Sequence, residues 1–293
     1  MVSEEAPSIV GNHMIAAIEL PADYKPKDMY SIVTTTQGKR YLIFDPTWEK
    51  LPFGQLEHEL QGGTALLVDG SDSQAIRLPV LRPEQNLIER KSRFQLALDG
   101  SLSGTVNEQE TGEIATRQRY LSMEEEKDQR KALEQRVGHD LNAFQIADEK
   151  TMHANNLQDP MTLSYSLKAQ GFAQDAGSLM MVRPRVLGED SFWVDTKKRA
   201  VPIDLGSTRE VRDDIEIALP DGVSVEELPS PVNLDVGFAS YHSESKTEGR
   251  TIHYRRTYIV REIMLPPDRY ADVQKLARFI HTDEQTSAVL KRN

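Results

Sequence analysis

The stretch Asn12-His13-Met14-Ile15-Ala16-Ala17-Ile18-Glu19-Leu20, read with Tyr41-Leu42-Ile43-Phe44-Asp45-Pro46-Thr47, decides how this chain folds. The apolar run that His13 opens is too short and too β-branched for a helix and predicts a buried strand. Tyr41 to Phe44 predicts a second strand, entered through the Gln37-Gly38-Lys39 turn and closed by Asp45-Pro46. Proline disfavours the helical region for the residue before it, so Asp45 is held extended at the strand end. If the two strands are antiparallel neighbours, His13 and Asp45 lie side by side at the rim of one sheet. A carboxylate that accepts from one imidazole nitrogen fixes the tautomer and leaves the other nitrogen to take a proton from a nucleophile. On the residues alone, the default reading is an exposed histidine and a turn-forming aspartate.

The totals narrow the function classes. The 293 residues suffice for two domains, or one large β domain, with a sizeable core. Lys and Arg number 35 against 46 Asp and Glu, a formal charge of -11, which argues against nucleic acid and polyanionic membrane surfaces as partners. There is no cysteine, which excludes a disulfide framework, a thiolate metal site and thiol chemistry within this chain. No apolar run is long enough to predict a membrane span. The acidic start, Met1-Val2-Ser3-Glu4-Glu5-Ala6-Pro7, lacks the apolar core of a signal peptide.

Residues 1–80 read as strands and turns, with Gly62-Gly63 leading into a short buried strand from Thr64 to Val68. Trp48 and Phe53 fit either a cleft beside Asp45 or, as large aromatics usually do, packing in the core or between domains. From Arg82-Pro83 the texture changes. Phe94, Leu96 and Leu98 alternate with polar residues, Asp99-Gly100 supplies a hairpin turn, and Leu102 begins the return strand. Glu113 to Leu121 predicts a further strand with Arg117 and Arg119 on a solvated face. Ser122 and Glu125 predict a capping box for a surface helix that ends at Gly138, with a narrow stripe of Ala132, Leu133 and Val137. Leu163 to Ala169, Leu179 to Val182, Val211 to Leu219 and Ile252 to Val260 predict strands. Pro266-Pro267-Asp268 starts a closing helix in which Tyr270, Val273, Leu276, Ala277 and Ile280 recur at helical spacing. Asp148, His153 and Asp159 share no face and read as loop residues, so no metal site and no organic cofactor are expected.

The segments Asn12 to Ala17, Tyr41 to Thr47 and Leu51-Pro52-Phe53-Gly54 together resemble the second half of a bacterial transglutaminase-like domain, from the papain-like superfamily of cysteine acyltransferases and peptidases. The resemblance implies that His13 is the general base and Asp45 its orienting partner, with Asn12 and Trp48 at the cleft. The family's Cys would fall upstream of Met1, on a helix. A substitute nucleophile at Ser3 or Ser8 lacks the helix-opening context that activation needs. The expectation is therefore a truncated or split gene product, or an excised piece. Its partner would be a Cys-bearing N-terminal segment or chain and its substrate a protein or peptide. An exported or periplasmic location follows if the missing part carries a signal.

The ending, from Leu219-Pro220-Asp221-Gly222 through Leu228-Pro229, Tyr254-Arg255-Arg256 and Leu265-Pro266-Pro267 to Val289-Leu290-Lys291-Arg292, resembles the uncharacterised β domains that flank such cores. The fold expected is mainly β: the sheet half of a transglutaminase-like core over residues 1–80, then a β-sandwich-like domain over 81–293 with one inserted helix and a C-terminal helix. Two functions follow as expectations. One is half of a Cys-His-Asp acyl-transfer or peptide-hydrolysis site, inactive alone. The other is a non-catalytic β-domain binding or scaffold protein of the cell envelope. Without a helical half, Ile15, Ile18, Ile43 and Phe44 would be uncovered and favour self-association.

Overall fold

The computed structural model describes residues 13–138, 141, 143–188, 192, 194–195, 197 and 199–292. The chain is mainly β. In its first part, β1 (Ala16–Leu20), β2 (Ile32–Thr34) and β3 (Arg40–Phe44) form a three-stranded sheet in the order β1-β3-β2. A small hairpin follows, β4 (Thr64–Leu67) with β5 (Gln74–Arg77). Alternation places Tyr41 and Ile43 on one face of β3, where they pack with Val33, Leu56, Leu67, Ile76 and Leu78 in a core of their own. Gly54 fixes the loop beneath this sheet. Its φ is +92°, its carbonyl accepts from the Tyr30 and Ser31 amides, and an added Cβ would lie 2.9 Å from the Met29 Cα.

The second part is built on an eight-stranded sheet. Its strands are β6 (Leu87–Leu96), β7 (Leu102–Glu110), β8 (Phe144–Met152), β9 (Met161–Ala169), β13 (Arg209–Ala218), β15 (Val232–Asp235), β16 (Ala239–Glu248) and β17 (Thr251–Val260). They run in the order β15-β16-β17-β13-β6-β7-β9-β8, and the β13–β6 pairing is parallel. Over one half of its inner face lies a four-stranded sheet of β10 (Gln174–Ala176), β11 (Leu179–Val182), β14 (Val223–Glu227) and β19 (Ala288–Arg292). Over the other half lies the closing helix, α3 (Tyr270–Gln285). A two-stranded ribbon of β12 (Ile203–Asp204) and β18 (Met264–Leu265) completes the strands.

Between the two apolar clusters runs a row of buried polar side chains. Strand register aligns Ser243, Arg256, Asp213, Arg90 and Glu108 across β16, β17, β13, β6 and β7. Asp213 accepts from Arg90 at 2.7 Å and from Arg256 at 2.6 Å, so one carboxylate ties three neighbouring strands. Glu108 continues the row to Arg90 at 3.3 Å, accepts from the Tyr165 hydroxyl at 3.0 Å and pairs with Arg136 at 3.1 Å. At the other end Ser243 donates to Asp283 of α3, which also accepts from the Tyr241 and Tyr254 hydroxyls. Burial pushes both tyrosine hydroxyls upward.

Several local expectations are corrected. Glu113 to Leu121 is not a strand but α1 (Gly112–Leu121). Gly112 adopts φ +63° beside Gln85 and Asn86 with no room for a Cβ, and this turns the chain out of β7. The Glu113–Arg117 ion pair then spans one helical turn at 2.5 Å. Two helices are therefore inserted rather than one, the second being α2 (Glu126–Val137). Ser122 ends α1 and does not begin α2, whose N-cap is Glu125 with no side-chain capping bond. Arg119 is not solvated; it is buried and donates to the Asp159 carbonyl at 2.9 Å. β1 is not buried, because as an edge strand only Leu20 reaches the core. Of the four side chains expected to be uncovered, Ile18 is exposed, Ile15 and Phe44 are half-buried, and Ile43 is buried.

Replacing Asp213 with Ala leaves two buried guanidinium groups without their shared carboxylate and should cost about 3–5 kcal/mol in urea denaturation. Glu216→Ala, on the opposite face of β13 in an exposed pair with Arg93, should change stability by less than about 0.5 kcal/mol.

Candidate functional site: a histidine–aspartate dyad

β1 and β3 pair antiparallel with Ala16 opposite Phe44, so the residues just before β1 and just after β3 meet at one rim. There His13 and Asp45 are in contact, Nε2 to Oδ2, at 2.6 Å. The two side chains differ sharply in exposure: Asp45 is fully buried and the His13 ring is 39% exposed. Asp45 is locked from its own side of the turn. Its Oδ1 accepts from the Thr47 amide at 3.0 Å and from the Thr47 hydroxyl at 2.7 Å, an Asx turn that Pro46 favours by holding Asp45 extended. Burial alone would raise the Asp45 carboxyl, but the bonds from His13 and Thr47 outweigh it and hold the group below the usual carboxylate range.

With Oδ2 on Nε2, the ring's other nitrogen, Nδ1, has no hydrogen-bond partner among the described residues. In the neutral form of the ring this contact would put the proton on Nε2 and leave Nδ1 as the acceptor. Asn12, Ser3 and Ser8 lie outside the described residues. Trp48 stands partly exposed two residues after Pro46, edge-on to Tyr120 of α1 with ring centroids 5.6 Å apart. Lys50 follows it onto the same support: its amide donates to the Tyr120 hydroxyl at 3.3 Å and its ammonium to Asn155 at 3.1 Å. Trp48 thus serves as a joint between the two parts of the chain while keeping an open edge. Phe53 packs edge-on against Phe44 at 4.9 Å.

Sequence reasoning attached no role to Thr47, although Asp-Pro-Thr carries an Asx-turn signal. Tyr120 was hidden because its segment reads as a strand. Away from the dyad, an open groove of about 740 Å³ crosses the outer face of the eight-stranded sheet, lined in part by Arg93, Gln95, Thr105, Gln145 and Lys168. Among the described residues no helix is long and apolar enough to cross a membrane.

Residues 179–290 match the family described as "Domain of Unknown Function with solved-structure structure" (DUF3858). That span runs from β11 to β19, less than half of the chain, and leaves the dyad outside it. No curated protein and no solved structure matches the chain.

Because the Asp45 carboxyl is depressed in the fold, its contribution is present above the ordinary carboxylate value of about 4 and is lost as pH falls through the lower folded value. Asp45→Ala should therefore cost about 1–3 kcal/mol at neutral pH. The deficit should shrink as chemical denaturation is repeated at increasingly acid pH.

Proposed function

We propose that this chain supplies the base and its orienting carboxylate to a Cys-His-Asp acyl-transfer or peptide-hydrolysis site whose thiol lies on another segment or chain. The carrying observation is the dyad: a buried, fully committed Asp45 holding an exposed His13 by Nε2 at 2.6 Å. Supporting it, the sequence around both residues resembles a transglutaminase-like domain. In this reading His13 Nδ1 takes the thiol proton as the sulfur attacks an acyl carbon, and returns it to the leaving amine. Asp45 stabilises the imidazolium formed between those steps and stays ionised throughout. With no cysteine, the chain alone performs neither half-reaction.

The alternative, a non-catalytic binding or scaffold protein of the cell envelope, draws on the groove across the outer sheet face. Its volume falls in the range of ligand sites, although its open form and scattered polar lining give no single ligand class.

The two readings separate in a thiol-reactivity experiment on this chain produced together with the coding segment that precedes it. The acyl-transfer reading predicts one cysteine whose alkylation rate has an acid-shifted pH profile that His13→Ala abolishes. A cysteine that ignores His13→Ala, or no cysteine in that segment, would sink it.

A further inference from the structure

The dyad has a third member on the far side of Asp45. Both bonds that Thr47 gives to the carboxylate go to Oδ1, from the amide at 3.0 Å and the hydroxyl at 2.7 Å, while His13 Nε2 meets Oδ2 at 2.6 Å. The two oxygens therefore have separate duties. Asp45 is fully buried, so bulk water does not compete for either of them. Among the described residues, His13 and Thr47 supply every hydrogen bond to this side chain.

The torsion that aims a carboxylate is soft and roughly two-fold, so an aspartate held at one oxygen only can turn and exchange its oxygens. Two donors on Oδ1 remove that freedom and leave Oδ2 facing His13. The ring depends on this closely. It lies just before the largely exposed β1, is itself 39% exposed, and has Oδ2 as its one hydrogen-bond partner among the described residues. The same donors bear on where the proton of the dyad sits. An amide can only donate, and an ionised carboxylate can only accept. Burial raises the Asp45 carboxyl, and the bonds from His13 and Thr47 bring it down again, which keeps the proton on the ring. Any residue at position 47 can supply the amide, but the hydroxyl belongs to the side chain. β-Branching limits that side chain to few rotamers, so the hydroxyl is held ready to donate. The backbone behind it is anchored one residue on, where Trp48 meets Tyr120 of α1.

We propose that Thr47 is a positioning residue for the base: by fixing the Asp45 carboxylate, its hydroxyl fixes which nitrogen of His13 carries the proton and keeps Nδ1 as the nitrogen that accepts one. The purpose of this relay rests on the acyl-transfer reading. The relay itself, from Thr47 through Asp45 to His13, is a property of this chain and is measured without a thiol.

The test is NMR of the full chain, labelled with ¹⁵N in histidine and ¹³C in aspartate, in unmodified form and as Thr47→Val, Thr47→Ala and Thr47→Ser. Valine keeps the amide and the branched shape, and its methyl group stands where water would otherwise replace the hydroxyl. Thr47 is exposed, so none of these changes opens the core, and circular dichroism establishes that each variant is folded. In the unmodified chain the neutral His13 ring should show one tautomer, protonated at Nε2. Thr47→Val should bring the Nδ1-protonated form to at least about a tenth of the neutral ring and raise the Asp45 titration midpoint by about one pH unit. Thr47→Ala should move both in the same direction, and Thr47→Ser should return both close to their unmodified values. A tautomer and midpoint that ignore Thr47→Val and Thr47→Ala, or that serine does not restore, would overturn the proposal and leave the dyad standing. An unmodified ring without a fixed tautomer would overturn the dyad and the proposal together.

Discussion

One carboxylate holds the large sheet together. Asp213 sits where β13 runs parallel to β6 and antiparallel to β17, and it takes a guanidinium from each. A buried ion group is costly unless geometry and extra hydrogen bonds satisfy it. Here strand register supplies both, because the partners are directly opposed residues on one face. The row that Asp213 centres also divides the interior. Apolar side chains on one side meet the four-stranded sheet, and those on the other meet α3. A one-residue slip at the β13–β6 joint would put Asp213 and Arg256 on the face opposite Arg90 and Glu108, so the row specifies register as well as contributing energy.

That constraint reaches the dyad through a short mechanical path. Glu108 and Glu110 of β7 are both held by Arg136 of α2, and β7 runs through Gly112 directly into α1. α1 in turn presents Tyr120 to Trp48 and Lys50, which stand just beyond Asp45-Pro46-Thr47 in the chain. The aspartate is therefore positioned twice, by the end of β3 and by a loop pinned to a rigid helix. His13 is held more lightly, at the open end of an edge strand whose residues are largely exposed. The dyad thus joins a buried, fixed carboxylate to an accessible imidazole that Asp45 orients.

Much of this was legible in the sequence, and the exceptions have physical causes. The alternation of Leu163, Tyr165, Leu167 and Ala169, the Asp99-Gly100 turn and the spacing of Tyr270, Val273, Leu276 and Ile280 each point to one structure only, and the fold agrees. Asp45-Pro46 marks a strand end because proline restricts its predecessor. Glu113 to Leu121 misleads because Ile114, Thr116 and Tyr120 imitate a period of two, and only the left-handed Gly112 and the buried Arg119 reveal a helix. β1 misleads in a different way: its composition predicts burial, but an edge strand has one neighbour, and composition carries no record of sheet order. The polar row was invisible for the same reason. Arg90, Glu108, Asp213 and Arg256 are ordinary surface residue types until register opposes them.

The most direct test of the account is the protonation pattern of one ring. With the chain labelled with ¹⁵N in its histidines, and His13→Gln used to assign the signals, NMR at a pH where the imidazole is neutral reports which nitrogen carries the proton. The dyad predicts a single tautomer protonated at Nε2 and hydrogen-bonded to Asp45, with Nδ1 unprotonated and basic. A ring protonated at Nδ1, or one that averages rapidly between tautomers as a free imidazole does, would contradict the dyad and with it the acyl-transfer reading.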